Sequence, residues 1–267
     1  MAGYFARRNR RKSGWKKNPI DGRDLSFLQM GLGDSSLPSI RTLHDECKVM
    51  TQRSTSSCVA HSVASSIYIR EVLAGLDPIN VSRLFIYYNA RRFSNRFVFD
   101  TGTHIRDAVK GVVKFGVPDE KHWRFSTNPG RVNLRPGWKP YMMGNPRKHG
   151  KYYRIFETGD ERCEAIKRAI CDGHPVIFGT PIDKDFIRNG GPSVIEKPAT
   201  GSKIVGGHAM TIIGYKETKD GLLFEILNSW GADWRDGGFA FLTDDFIKWY
   251  NCVDFTIMDG WDRIASV

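Results

Sequence analysis

Apolar residues first fall into a helical rhythm at Val59, Ala60, Val63, Ala64 and Ile67, three or four positions apart. That is the spacing of one helix face. Gly75 supplies a stop, so a helix of about four turns is expected to open at Cys58. Ser56 and Ser57 are its capping candidates. A second helix is expected near 82–93, with Leu84, Phe85, Tyr87 and Tyr88 as apolar surface. A third carries Ile105, Ala108, Val109, Val112 and Val113 on one face and ends at Gly116. Pro and Gly then punctuate 118–150, with Trp123, Phe125, Trp138 and Tyr141 between them, which predicts an irregular connection packed over the core.

After Tyr152 a short helix (161–171) leads into strand-like runs at 175–182, 208–215, 222–227, 238–242 and 253–258. Helices followed by antiparallel strands predict an α+β architecture of two lobes with a cleft between them. The expected division is an arm at 1–36, a helical lobe at 37–151 and a β lobe at 152–267.

Composition narrows the picture. A hydrophobic content of 40% and a charged content of 26% are ordinary for a globular chain. No apolar run is long enough to span a membrane, and the basic N-terminus lacks the apolar stretch of a secretory signal. Five cysteines without CxxC spacing argue against a zinc site, and no cofactor is expected. Disulfides are not expected either, unless Cys47 and Cys252 prove close.

The net charge of +11 lies mostly in the arm, where Arg7, Arg8, Arg10, Arg11, Lys12, Lys16 and Lys17 occur with no acid among them. That argues against a nucleic-acid-binding core. The arm itself reads either as a solubilising extension or as a tether for an acidic partner, an assembly or nucleic acid. Tyr4, Phe5 and Trp15 are candidate anchors within it.

Cys58 draws attention chemically. A thiol at a helix N-terminus lies near the positive end of the dipole, which favours the nucleophilic thiolate. Gln52 lies six residues upstream, in the segment Gln52-Arg53-Ser54-Thr55-Ser56-Ser57-Cys58. Gly206-Gly207-His208-Ala209-Met210 puts a histidine at the head of an apolar strand. Asn228-Ser229-Trp230-Gly231-Ala232-Asp233-Trp234 follows at a strand end. Attack on an amide carbonyl needs a thiolate, an imidazole to take and return its proton, and fixed donors for the oxyanion. An asparagine orients the imidazole without adding charge.

Taken together, Gln52, Cys58, His208 150 residues after it, and Asn228 20 residues further on resemble the papain-like cysteine peptidases. The resemblance runs from about Leu37 to Ile257 and looks closest to the short bacterial and viral members without a long inhibitory propeptide. It rests also on Ser82-Arg83-Leu84-Phe85-Ile86-Tyr87-Tyr88 and Gly102-Thr103-His104-Ile105. It implies a Cys58–His208 pair oriented by Asn228, an oxyanion hole of the Gln52 side chain and the Cys58 N–H, and Trp230 packed over the His208–Asn228 bond. It further implies that Ala209 borders the main side-chain pocket and that Gly102 lies in a loop pairing with substrate backbone, although a plain helix cap explains that loop equally well.

Thr55 and Ser56 stand where the family has a disulfide cysteine and a glycine, so rigidity of this loop is expected from packing. Val59 replaces the usual aromatic, and Gly207 precedes the histidine in place of Asn or Asp. His61, one turn into the helix, is expected to be structural. Two functions therefore compete: an endopeptidase acting on proteins or peptides, and a papain-fold component of a larger assembly held by its arm. The expected location is intracellular or within a particle such as a virion.

Overall fold

The structure is a computed structural model that describes residues 12–31, 36–144 and 150–260. Three helices make the first half: α1 (Cys58–Leu73), α2 (Arg83–Phe93) and α3 (Ile105–Phe115). Each lies within a residue or two of its expected bounds. Ser82 caps α2 by accepting from the Phe85 amide, and Gly116 ends α3 at a left-handed φ of 66°. Helix α1 is buried on nearly every side, because it lies between the other helices and the sheet. The described residues between 118 and 144 are less irregular than their Pro and Gly content suggests. They hold two short helices, Pro129–Val132 and Trp138–Gly144, too brief to leave a period in the sequence.

The second half is a largely antiparallel sheet. Its six longest strands are β1 (Lys151–Arg154), β2 (Val176–Ile182), β3 (Gly206–Thr218), β4 (Gly221–Leu227), β5 (Phe239–Thr243) and β6 (Val253–Asp259), in the spatial order β1-β6-β2-β3-β4-β5. Helix α4 (Gly159–Cys171) covers one face. Successive side chains of a strand point to opposite faces. Phe178, Met210 and Ile257 therefore join the core under α4, whereas their neighbours Ile177, Ala209 and Met258 join the core around α1. This alternation clamps the sheet onto the Cys58 helix.

The chain crosses the expected lobe boundaries. Ile40–Thr42, placed with the helical lobe by sequence, pairs antiparallel with Lys216–Gly214 of β3, because the far half of that long strand has an open edge. The described part of the arm is held by the chain's own body. Trp15–Lys16 runs parallel to Thr103–His104, and Leu25–Ser26 runs parallel to Tyr153–Arg154. Tyr4, Phe5, Arg7, Arg8, Arg10 and Arg11 lie outside the described residues.

Asp24 anchors this segment. Its carboxylate sits fully buried between Arg106 and Arg154 and accepts from Tyr152 Oη at 3.0 Å. Burial alone would raise its pKa, but the hydrogen bonds from Arg106 and Tyr152 outweigh burial and hold it below the usual carboxylate range. Its contribution to stability is thus present above the unfolded carboxyl's pKa and is lost as pH falls through the lower folded value. Asp24→Ala leaves two buried guanidinium groups short of a partner. We expect it to cost about 3–5 kcal/mol in denaturant unfolding. A loss under about 1 kcal/mol would show that the anchor is not needed.

Candidate active site

The loop ahead of α1 is held by hydrogen bonds more than by the packing expected of it. The Gln52 amide donates to Ser229 O (2.8 Å), and Ser229 Oγ donates to Gln52 Oε1 (2.7 Å). Gln52 Nε2 donates to Thr55 O (2.7 Å) and Thr55 Oγ1 returns a bond to Gln52 O (2.8 Å). Asp100 accepts from the Ser56 amide at 2.9 Å and from Tyr87 Oη at 2.7 Å. Thr55 thus braces the loop by polar contacts where the family has a disulfide cysteine. The five cysteines are all unpaired, so Cys47 and Cys252 are not joined.

Cys58 is the first residue of α1 and is fully buried. Ser57 occupies the cap position, but its side chain makes no capping bond, since its hydroxyl meets Thr55 Oγ1 and His61 instead. Burial pushes the thiol up to about 11, against the pull of the backbone N–H groups of Ala209, Gly14, Val59 and Cys58 itself. His61 bonds the Ser57 carbonyl through Nδ1 (2.9 Å) and meets the Phe125 ring edge-on. Burial first, then the nearby Arg83 charge, lowers its pKa to about 3, so it stays neutral.

His208 and Asn228 come together because β3 and β4 are antiparallel neighbours, with Thr211 opposite Leu227. His208 Nε2 lies 2.7 Å from Asn228 Oδ1, and the Ser229 amide holds that same oxygen at 2.7 Å. Trp230 stacks on the imidazole with ring centroids 4.3 Å apart and planes 24° apart. Phe186 and Trp234 pack behind it. The hydrogen bond is thus sealed from water by aromatic carbon. Ala209 is wholly buried, with its amide toward the Cys58 thiol and its side chain in the core around α1.

The N-terminal segment lies across this arrangement. The Lys12 carbonyl accepts from Gln52 Nε2 at 2.9 Å. The Gly14 N–H is directed at the Cys58 thiol, and the Gly14 carbonyl accepts from the Thr103 amide at 2.8 Å. The fit is tight backbone to backbone. A β-carbon on Gly14 would overlap the Ser56 carbonyl, and one on Gly102 would overlap the Gly14 carbonyl. Trp15 enters a pocket between Gly179 and Gly207, and its Nε1–H donates to Asp254 Oδ2 at 3.0 Å. Lys12 also pairs with Asp100 at 3.0 Å.

Sequence reasoning does not reach Gly14 or Asp254, and it offers Lys12 only as one charge of a basic arm and Trp15 only as an anchor for some partner. The sole signal was an aromatic residue in an otherwise polar arm. Its partner is the chain's own cleft.

Among the described residues no helix is long and apolar enough to cross a membrane. Comparison with known proteins agrees with this architecture. The family described as papain family cysteine protease matches residues 41–252. An uncharacterized peptidase C1-like protein of Acanthamoeba polyphaga mimivirus is 32% identical over 214 residues, 78% of this chain and 68% of that protein. A cathepsin B-like protein of Giardia intestinalis is 26% identical over 210 residues, 72% of this chain and 62% of that one. Xylellain, a cysteine protease from Xylella fastidiosa, superposes with a TM-score of 0.84 at 25% identity, covering 97% of this chain and 99% of that structure. Bromelain from Ananas comosus shares the fold, with a TM-score of 0.62 at 16% identity over 83% of this chain and 98% of that one. With a family match over most of its length, this chain belongs to the papain family of cysteine proteases.

Proposed function

We propose that the chain is an endopeptidase whose site comprises Cys58, His208, Asn228 and Gln52, held latent by residues 12–18. The observation that carries this reading is a peptide carbonyl, that of Lys12, seated on the Gln52 side-chain amide beside Cys58. That amide is fixed by Ser229, so its donor points at one spot before any substrate arrives.

Once a substrate replaces the arm, His208 takes the Cys58 proton. With Nε2 committed to Asn228, Nδ1 is the nitrogen for that task. The thiolate then attacks the scissile carbonyl carbon, and its oxygen becomes an oxyanion held by Gln52 Nε2–H and the Cys58 N–H. The imidazolium gives its proton to the departing amine, leaving a thioester. Water, deprotonated by His208, hydrolyses the thioester to the carboxylic acid and restores the thiol.

The arm escapes this chemistry by its register. Its carbonyl on Gln52 belongs to Lys12, while the thiol faces the N–H of Gly14. A donor stands where attack needs a carbonyl carbon, so the segment acts as a plug. Hydrolysis of an unstructured protein by a whole-chain variant whose arm is displaced tests the reading. In the Gly14→Leu background, Cys58→Ala is expected to remove all measurable turnover, and turnover that survives it would overturn the assignment.

A further inference from the structure

The connection between α3 and β1 carries a concentration of positive charge separate from the arm. From Lys121 to Gly144 the chain has five basic residues (Lys121, Arg124, Arg131, Arg135 and Lys139) and no acid. Lys121 pairs with Asp119, and the Arg131 guanidinium lies 3.5 Å from the centre of the Trp123 ring. Among the described residues Arg124, Arg135 and Lys139 meet no carboxylate. Amid these charges the short helix Trp138–Gly144 turns apolar side chains outward. Tyr141 fixes which way it faces: its hydroxyl donates to Asn89 Oδ1 (2.8 Å), and its ring meets Phe85 and Phe115 edge-on. Pro140 and Gly144 are buried on that inner side, where a β-carbon on Gly144 would press on Pro118 and the Phe115 carbonyl. At about 3.6 residues per turn, Trp138, Lys139, Met142 and Met143 then share the outer side. Trp138 is 73% exposed and Met142 59%. Arg91 extends the surface to the loop after α2, bonding Asn133 Oδ1 (2.7 Å) and the Phe99 carbonyl (2.6 Å), beside which Val98, Phe99 and Leu134 are exposed.

We infer that this face docks on an anionic phospholipid surface, with Trp138 and Met142 entering the edge of the acyl layer and Arg135 and Lys139 on the headgroups. The inference does not depend on the peptidase reading. A helix in water ordinarily hides its apolar side, and here the Tyr141 and Gly144 contacts keep it from turning over. Charge selects the partner. A second copy of the chain would set the same positive charge against itself. A nucleic acid would satisfy the arginines but offers nothing to Leu134, Met142 and Met143, which have no ring to stack on bases. A folded protein would need a pocket matched to side chains that project this far. A fluid acyl layer receives projecting side chains without a matching pocket, and Trp beside Lys and Arg is the residue mixture of a membrane–water interface.

The basic arm would attract the same lipid, so the deciding variants leave the charge unchanged. The whole chain is sedimented with vesicles of phosphatidylserine and phosphatidylcholine, and with vesicles of phosphatidylcholine alone. Binding is expected to the mixed vesicles only, and to weaken as salt is raised. Trp138→Ser combined with Met142→Ser should lower the partition coefficient by at least about tenfold. Both positions face solvent, so the fold has little to lose. Mixed vesicles brominated on the acyl chains should quench tryptophan emission, and Trp138→Phe should remove most of that quenching while the chain still binds. Equal partitioning of the double variant and the unaltered chain would show that the arm alone makes the contact and would overturn the inference. Absence of binding to the mixed vesicles overturns it as well. Retention of single-stranded RNA that the same double variant abolishes would assign the face to nucleic acid and equally overturn it.

Discussion

Gly14→Leu is expected to raise the rate at which a thiol-directed epoxide labels Cys58 by at least about 100-fold over the unaltered chain. The reasoning is steric first. A β-carbon at position 14 overlaps the Ser56 carbonyl, which is backbone, and the Ser56 amide is tied to Asp100 at 2.9 Å. The loop therefore has no cheap way to yield, and the arm must leave. In the unaltered chain the thiol is wholly buried and protonated, with burial pushing its pKa to about 11. Partial burial of the Trp15 indole and a few hydrogen bonds, less the entropy of ordering the segment, favour the covered state by about 3 kcal/mol. Each 1.4 kcal/mol is a factor of ten in population, which gives the expected 100-fold. Trp15→Ala should act in the same direction by removing the anchor without a clash. Gly22→Leu serves as a control, since a β-carbon there meets nothing within 4 Å. Equal labelling rates for Gly14→Leu and the unaltered chain would falsify latency by the arm.

What the sequence revealed follows from the range of each interaction. Helix α1 was legible because Val59, Ala60, Val63, Ala64 and Ile67 carry its period within ten residues. The central strands were legible as apolar runs between turn residues. The proposal that Gln52, His208 and Asn228 share one site starts from their joint spacing, since nothing local links positions 52 and 228. The contact of Trp15 with Asp254 spans 239 positions, and no periodicity can announce it. Asp254 was further disguised by its setting. In a strand that alternates strictly, a lone acid between Val253 and Phe255 reads as a solvent-facing position, and only the left-handed φ turns it inward. Thr55 and Ser56 showed the reverse problem. The missing disulfide was plain in the sequence, but its replacement by Asp100 and Ser229 needed the fold.

In the arm-displaced chain His208→Ala is expected to lower kcat/KM by at least about 10³-fold, the scale of general acid–base catalysis combined with loss of the thiolate's partner. Asn228→Ala should do less, about 10- to 100-fold, because it acts through the imidazole and not on the substrate. Its signature lies elsewhere. Without Asn228 Oδ1 at 2.7 Å, Nε2 loses its acceptor, although Trp230 still stacks on the ring at 4.3 Å. The loss should therefore appear in kcat with KM little changed, and the acidic limb of the kcat/KM profile should move, since the acceptor stabilises the protonated ring. A structural role alone would lower activity at every pH in proportion to the folded fraction and leave the limb in place. Asn228→Gln, which keeps the amide at a longer reach, separates the two further: partial recovery of kcat points to orientation of His208, and no recovery together with an unmoved limb points to packing under Trp230.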